Sequence, residues 1–355
     1  MLKVKKLKKG DKIAIVSLSS GVLGEEFVKH ELFLGIKNLR ELGLEPVFMP
    51  NALKGIQFIK ENYQARVDDL KQAFLDKQIK AILCAIGGSD TQFLTSIFIN
   101  DKDFATIVKD NPKIFIGYSD TTTNHLLLNS LGLQTFYGMS FLSDFAELYR
   151  EMLPYSKNNF KTLFKNKINT FIQPSDVWYY ERKSFDISQL GVPRVKEKNN
   201  GYELLQGSGN VTGRLYGGCI DVLVQDVCFL EKGEYMGYKL SSAILDKKMF
   251  DNCVLLLEVS DQKPDEKEFE NMLNILENAG IFNKCKAVLF GKPQDEVYQK
   301  EYHKILVKKL AKYNMIILAN LNVGHAQPHT LLPLGALVEV DAKNKTIKTI
   351  EEVLF

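Results

Sequence analysis

IFIGYSDTTTNHLLL, residues 114–128, runs from an apolar, β-branched stretch through a Gly-Tyr-Ser-Asp turn into a segment with helical periodicity. A short apolar run closed by glycine is the pattern of a strand buried on both faces, and such strands belong to parallel sheets covered by helices. The preceding sequence repeats the rhythm: KIAIVS at 12–17, a helical pattern over 25–42, EPVFMP at 45–50, another helical pattern over 65–76, and AILCAIGG at 81–88. Alternating strands and helices predict an α/β fold with a parallel sheet.

Downstream the character changes. From about Tyr155 to Gly209 Asn, Lys and Gly accumulate, helical periodicity lapses, and the only tryptophan, Trp178, appears. At 355 residues the chain exceeds the size at which one core keeps growing. The expected division is therefore an N-terminal α/β unit over 1–160, a linker and active-site loop over 161–209, and a C-terminal unit over 210–355. The last is expected to hold strands at 253–258 and 287–290, helices at 265–279 and 301–313, and a hairpin pairing 336–340 with 345–350.

Composition narrows the function. The 46 basic and 43 acidic residues leave a formal net charge of +3, with no basic stripe interleaved with aromatics, so no nucleic-acid partner is expected. No stretch approaches the roughly 20 apolar residues of a membrane span, and no signal peptide is expected. Five scattered cysteines suit free thiols in a reducing, cytoplasmic compartment.

Ser119 stands where a strand delivers a side chain to the carboxyl edge of the sheet, backed by the N-terminus of a helix. It reads either as a nucleophile on a tight turn or as a helix cap, because Gly-Tyr-Ser-Asp-Thr lacks the second glycine of the usual elbow. Gly87-Gly88 in AIGGSDTQFL reads as a backbone approaching Ser119, as an anion-cradling loop or as a plain tight turn; neither nucleotide fingerprint is present. A nucleophilic serine needs a base. Of the five histidines, His30 and His303 sit in surface-type helices, His125 lies along the flank of the helix after Ser119, and His325 follows a buried strand in NVGHAQPHTLLPLG. His329 is four residues on, but Pro328 argues against a helical metal pair, and neither a metal nor a cofactor is expected. Glu258 ends the apolar run CVLLLEV and either orients a base or reaches solvent.

The segments GDKIAIVSLSSG, AIGGSDTQFL, IGYSDTT, FYGMSFLSDFAE, GRLYGGCIDVL, LLLEVSD, GIFNKCKAVLFG and NVGHAQPHTLLPLG occur in an order that resembles the LD-carboxypeptidase and microcin C self-immunity peptidase family. The resemblance implies a Rossmann-like parallel-sheet N-terminal domain and a smaller β-rich α+β C-terminal domain with the cleft between them, often as a homodimer. It makes Ser119 the nucleophile, Glu258 the orienting carboxylate and His325 the base, with the N–H groups of Gly88 and Asp120 as the oxyanion hole. SDVWYYERKSF resembles the aromatic loop of the microcin immunity branch, which assigns Trp178 to stacking on a substrate adenine; interdomain packing is the alternative. Cys219 in GGCID stands where several relatives carry Asn after the double glycine, which places it among the expected substrate-binding positions; if that Asn positions substrate or loop in those members, the specificity here differs. The implied activity is hydrolysis of a peptidyl or aminoacyl nucleotide of the microcin C type, or alternatively release of D-Ala from muropeptides. A non-catalytic small-ligand binder is the rival from another class.

Overall fold

The computed structural model describes residues 1–149, 151–166, 170–232, 234–235, 238–239 and 247–355, with nothing said of side chains over 229–247. Two sheets organise it. The first has the spatial order Leu332–Leu334, Thr135–Tyr137, Ile114–Gly117, Ile79–Cys84, Lys12–Val16, Glu45–Phe48. Its five N-terminal strands are parallel, and Leu332–Leu334 adds an antiparallel edge from the far end of the chain. Helices Lys29–Glu41, Tyr63–Leu75, Gln92–Asn100 and Thr122–Ser130 connect and cover the strands, which are buried almost throughout. This is the parallel α/β arrangement expected from the alternating pattern.

Strand order reverses between Lys12–Val16 and Ile79–Cys84: one chain path leaves toward Glu45–Phe48, the other toward Ile114–Gly117. Loops after the two strands at such a reversal splay apart and open a crevice at the carboxyl edge. The loops are Ser17–Ser20 and Ala85–Asp90, with the turn at Ser119 next to them.

The second sheet is curled and mixed, in the order Phe171–Ile172, Thr346–Thr349, Leu337–Asp341, Asn210–Cys219, Val254–Glu258, Ala287–Gly291, Ile316–Leu321, Glu203–Gln206. Its four strands from Asn210–Cys219 to Ile316–Leu321 run parallel, and antiparallel strands flank them on both sides. The expected terminal hairpin is present as Leu337–Asp341 against Thr346–Thr349. Helix Glu266–Asn278 starts with a capping box, in which Asp265 accepts from the Glu268 N–H and Glu268 accepts from the Asp265 N–H, both at 2.9 Å.

The stretch read as a linker, 161–209, is built into this sheet at both edges: Phe171–Ile172 closes one and Glu203–Gln206 the other. Between them Val177–Tyr179 and Lys196–Lys198 form a two-stranded ribbon. Strands of two to four residues carry too few alternations to leave a periodic signal, so their apolar positions look like loop.

Candidate active site

Three carboxyl-edge positions converge. Ser119 follows Ile114–Gly117 on the first sheet, Glu258 is the last residue of Val254–Glu258, and His325 lies in the loop after Ile316–Leu321. His325 Nδ1 is 2.8 Å from Glu258 Oε2, and its Nε2 is 3.0 Å from Ser119 Oγ. A carboxylate oxygen can only accept, so Nδ1 carries a proton, and in the neutral ring Nε2 is free to accept from the serine hydroxyl. Ser119 holds φ 62°, the left-handed backbone of a strained turn that pushes a side chain out of the sheet edge. The N-cap position of the short helix Ser119–Thr121 is Tyr118, not Ser119, and it makes no side-chain cap.

Glu258 is fully buried, not a solvated strand end. Its second oxygen accepts from the Tyr137 hydroxyl at 2.7 Å, and the Tyr137 oxygen accepts from the Ser119 N–H at 3.0 Å. Burial and the Glu258 charge hold the Tyr137 phenol well above its usual range, so it stays a donor. Burial pulls the His325 pKa down, but the charge of Glu258 and its hydrogen bond, with Asp261 and Asp221 beyond, outweigh this and raise it to about 9. Tyr118 packs edge-on against His325 and tilted against His329, with ring centroids 5.3 and 5.0 Å away.

The Gly87-Gly88 turn leans over the serine. A Cβ on Gly87 would lie 2.9 Å from Ser119 Oγ and 3.5 Å from the Asp120 nitrogen, and one on Gly88 would lie 2.2 Å from Ser19 Oγ. Only glycine permits that approach. The Asp120 side chain turns away from the crevice into the protein, where burial raises its carboxyl above the ordinary range.

The remaining histidines are committed elsewhere. His125 is fully buried, with its ring nitrogens 2.8 Å from Thr135 Oγ1 and 3.0 Å from the Gly117 carbonyl, and burial lowers its pKa to about 3. His329 pairs with Asp144 at 3.0 Å. His30 lies 2.9 Å from the Phe185 carbonyl. His303, expected to be solvated, is mostly buried and lies 3.5 Å from Glu203, because strand Glu203–Gln206 runs beside its helix.

Beside Ser119 and His325 opens a cavity of about 570 Å³. Two exposed rings, Phe27 and Phe185, stand on its wall, and its charged lining comprises Glu31, Glu181, Arg194 and Asp261. Burial, with Glu147 nearby, raises the Glu31 carboxyl to about 7. On the wall itself Arg194 bridges Glu181 at 2.8 Å and Glu147 at 2.7 Å, and Arg182 also pairs with Glu147.

Two expected substrate contacts lie off this wall. Trp178 is only 3% exposed, packed against Tyr180 at 4.5 Å and under the Lys292 ammonium at 5.1 Å. Its ribbon braces the histidine loop through the Tyr179 N–H, which donates to the Gln327 carbonyl at 2.9 Å. Trp178 is thus enclosed by its own ribbon and by Lys292. Cys219 is buried in register with Glu258, and its N–H donates to Thr122 Oγ1 at 3.0 Å. Burial, Glu258 and Asp221 raise its thiol well above the usual range, which keeps it un-nucleophilic. Tyr137, Thr122 and Ser19 escaped the sequence reading, because single polar residues in apolar runs carry no pattern.

Along its length the chain matches the LD-carboxypeptidase N-terminal domain over residues 13–138 and the LD-carboxypeptidase C-terminal domain over residues 212–340. It is 28% identical over 347 residues to the putative carboxypeptidase YocD of Bacillus subtilis (strain 168), covering 96% of both proteins. It is 26% identical to the microcin C7 self-immunity protein MccF of Escherichia coli, covering 97% of this chain and 94% of that protein. Among solved structures, an MccF-like protein from Streptococcus pneumoniae in complex with AMP superposes with a TM-score of 0.89 and 43% identity, covering 96% of this chain and 98% of that one.

Proposed function

The chain belongs to the LD-carboxypeptidase family of serine peptidases, and we propose that Ser119 is its nucleophile, His325 its general base and Glu258 the carboxylate that orients the base. The observation that carries this reading is the pair of contacts made by His325, 2.8 Å to Glu258 and 3.0 Å to Ser119 Oγ. His325 takes the Ser119 proton as Oγ attacks an amide-type carbonyl, and the N–H groups of Gly88 and Asp120 receive the oxyanion. The proton passes to the leaving group as the acyl-enzyme forms. Water, deprotonated by the same histidine, then releases the acyl group. The cleft between an N-terminal unit that carries the nucleophile and a C-terminal unit that carries base and carboxylate belongs to the same reading, as do a cytoplasmic location and a homodimer.

The substrate we put first is a peptidyl or aminoacyl nucleotide of the microcin C type, with detoxification as the result. The AMP complex of the Streptococcus pneumoniae relative supports it, and Phe27 and Phe185 offer ring faces on the pocket wall where a base could stack. The second reading, removal of D-Ala from muropeptide tetrapeptides, draws on the similarity to a putative carboxypeptidase. Incubating the protein in parallel with an aminoacyl sulfamoyl adenosine and a muropeptide tetrapeptide, with mass-spectrometric detection and Ser119→Ala as control, separates them. Free amino acid from the nucleotide favours the first reading, and free D-Ala alone favours the second. No turnover of either would leave a small-ligand binder.

A further inference from the structure

The Asp120 carboxylate takes no part in the steps above, yet it joins the three loops that surround the nucleophile. It is 1% exposed, and its Oδ2 accepts from the Ser19 hydroxyl, from the Asp90 N–H at 3.1 Å and from the Thr91 N–H at 3.0 Å. Ser19 follows strand Lys12–Val16, Asp90 and Thr91 follow Ile79–Cys84 and the glycine turn, and Asp120 follows Ile114–Gly117. The turn is fixed from other sides too: the Ser20 N–H donates to the Gly87 carbonyl at 3.1 Å, and the buried Arg66 guanidinium grips Asp90 through two bonds of 2.7 and 3.1 Å. Asp120 Oδ1, also buried, has no partner among the described residues, so the carboxylate is held entirely through Oδ2. Unpaired buried oxygens are rare enough to need a reason.

We propose that the Asp120 carboxylate is a positioning residue that sets the separation between the Gly88 and Asp120 N–H groups by tying the glycine turn to the nucleophile turn. This rests on the catalytic reading above. An oxyanion hole works only when its donors are held within about 0.5 Å of the productive geometry, and losing one donor costs about a hundred- to thousandfold in rate.

The test compares two probes in wild type, Asp120→Asn and Ser19→Ala. Phenylboronic acid forms a tetrahedral adduct on a reactive serine, with an oxygen in the oxyanion position; AMP, which forms no covalent adduct, is the reference ligand that the substrate reading above puts in the pocket. For Asp120→Asn the expected result is a tenfold or greater loss of phenylboronate affinity with AMP affinity and melting temperature within twofold and 2 °C of wild type. Ser19→Ala removes one of the three bonds and should lose less, and the double variant should lose no more than Asp120→Asn alone. If Asp120→Asn fails to fold, the Ser19→Ala result decides. Phenylboronate affinity unchanged in the folded variants, or phenylboronate and AMP affinities falling together, overturns the proposal. Wild type that forms no Ser119 adduct would instead sink the catalytic reading, and the proposal with it.

Discussion

Tyr137 donates its hydroxyl proton to Glu258 Oε1 across 2.7 Å, joining the two sheets at a point closed to solvent. With the Ser119 N–H at 3.0 Å from the same phenol oxygen, the two bonds complete a ring from Ser119 through Tyr137, Glu258 and His325 back to Ser119. Tyr137→Phe leaves a buried carboxylate oxygen unsatisfied, a loss of about 1–3 kcal/mol. Because that oxygen belongs to the group proposed to orient the base, the cost should appear in kcat, as a roughly five- to hundredfold fall with little change in KM. Steady-state kinetics with a turned-over substrate would read this; a wild-type kcat would mean that Glu258 is oriented without the phenol.

In the proposed mechanism His325 sets the pH dependence. Burial alone would lower its pKa, but the Glu258 charge and hydrogen bond win and hold it near 9. A base must be neutral to accept the Ser119 proton, so kcat/KM should climb about tenfold per pH unit below 9 and level off above it. The folded pKa lies above the unfolded one, so this pair's contribution to stability is fully present below the unfolded histidine value of roughly 6.5 and is lost as pH rises through about 9. Glu258→Gln removes the larger raising influence. The acid limb should move to lower pH while the plateau falls by about a thousandfold or more. A limb that stays in place in Glu258→Gln would assign the titration to another group.

How much was legible follows from what each residue's signal depends on. The parallel sheet could be read because runs such as IAIV and IFIG are buried on both faces, so their apolar character is continuous and local. Ser119 and Gly87-Gly88 stand out as strand-to-helix turns, but turn chemistry alone leaves a nucleophile and a helix cap equally open at Ser119, and only the order of the family-like segments chooses between them. Strands Phe171–Ile172 and Glu203–Gln206 could not, since each is held by a partner more than a hundred positions away and is too short to alternate. Trp178 illustrates the limit for single residues: an aromatic in a polar loop looks available for stacking, and only the Lys292 and Tyr180 packing shows it to be enclosed. Tyr137 had no signal, because a phenol inside FYGMS looks like core until Glu258 is placed beside it.

The backbone at Ser119 is separable from its chemistry. A left-handed φ of 62° costs a non-glycine residue about 1–2 kcal/mol, while glycine avoids this but gains roughly 0.5–1 kcal/mol of unfolded-state freedom. Ser119→Ala and Ser119→Gly both lose the 3.0 Å contact to His325 and should both be inactive. The glycine variant should nonetheless be the more stable by about 0.5–1 kcal/mol, measurable as a higher denaturant midpoint at equal slope. Equal midpoints would mean that the turn is relaxed as it stands.

Trp178 and the pocket aromatics make opposite predictions for two assays. Trp178 is 3% exposed, so Trp178→Ala opens a large cavity beside the ribbon that braces the His325 loop, at a cost of about 3–5 kcal/mol in stability. Phe185 is 43% exposed on the cavity wall, so Phe185→Ala should leave the melting temperature almost unchanged. If a base stacks on it, as the first substrate reading requires, AMP affinity should fall roughly five- to hundredfold, the range of base-on-aromatic stacking. Calorimetric titration of AMP with thermal melts of both variants decides between the two. If Trp178→Ala weakens AMP without lowering the melting temperature, the ribbon opens in solution and the tryptophan, not Phe185, carries the base.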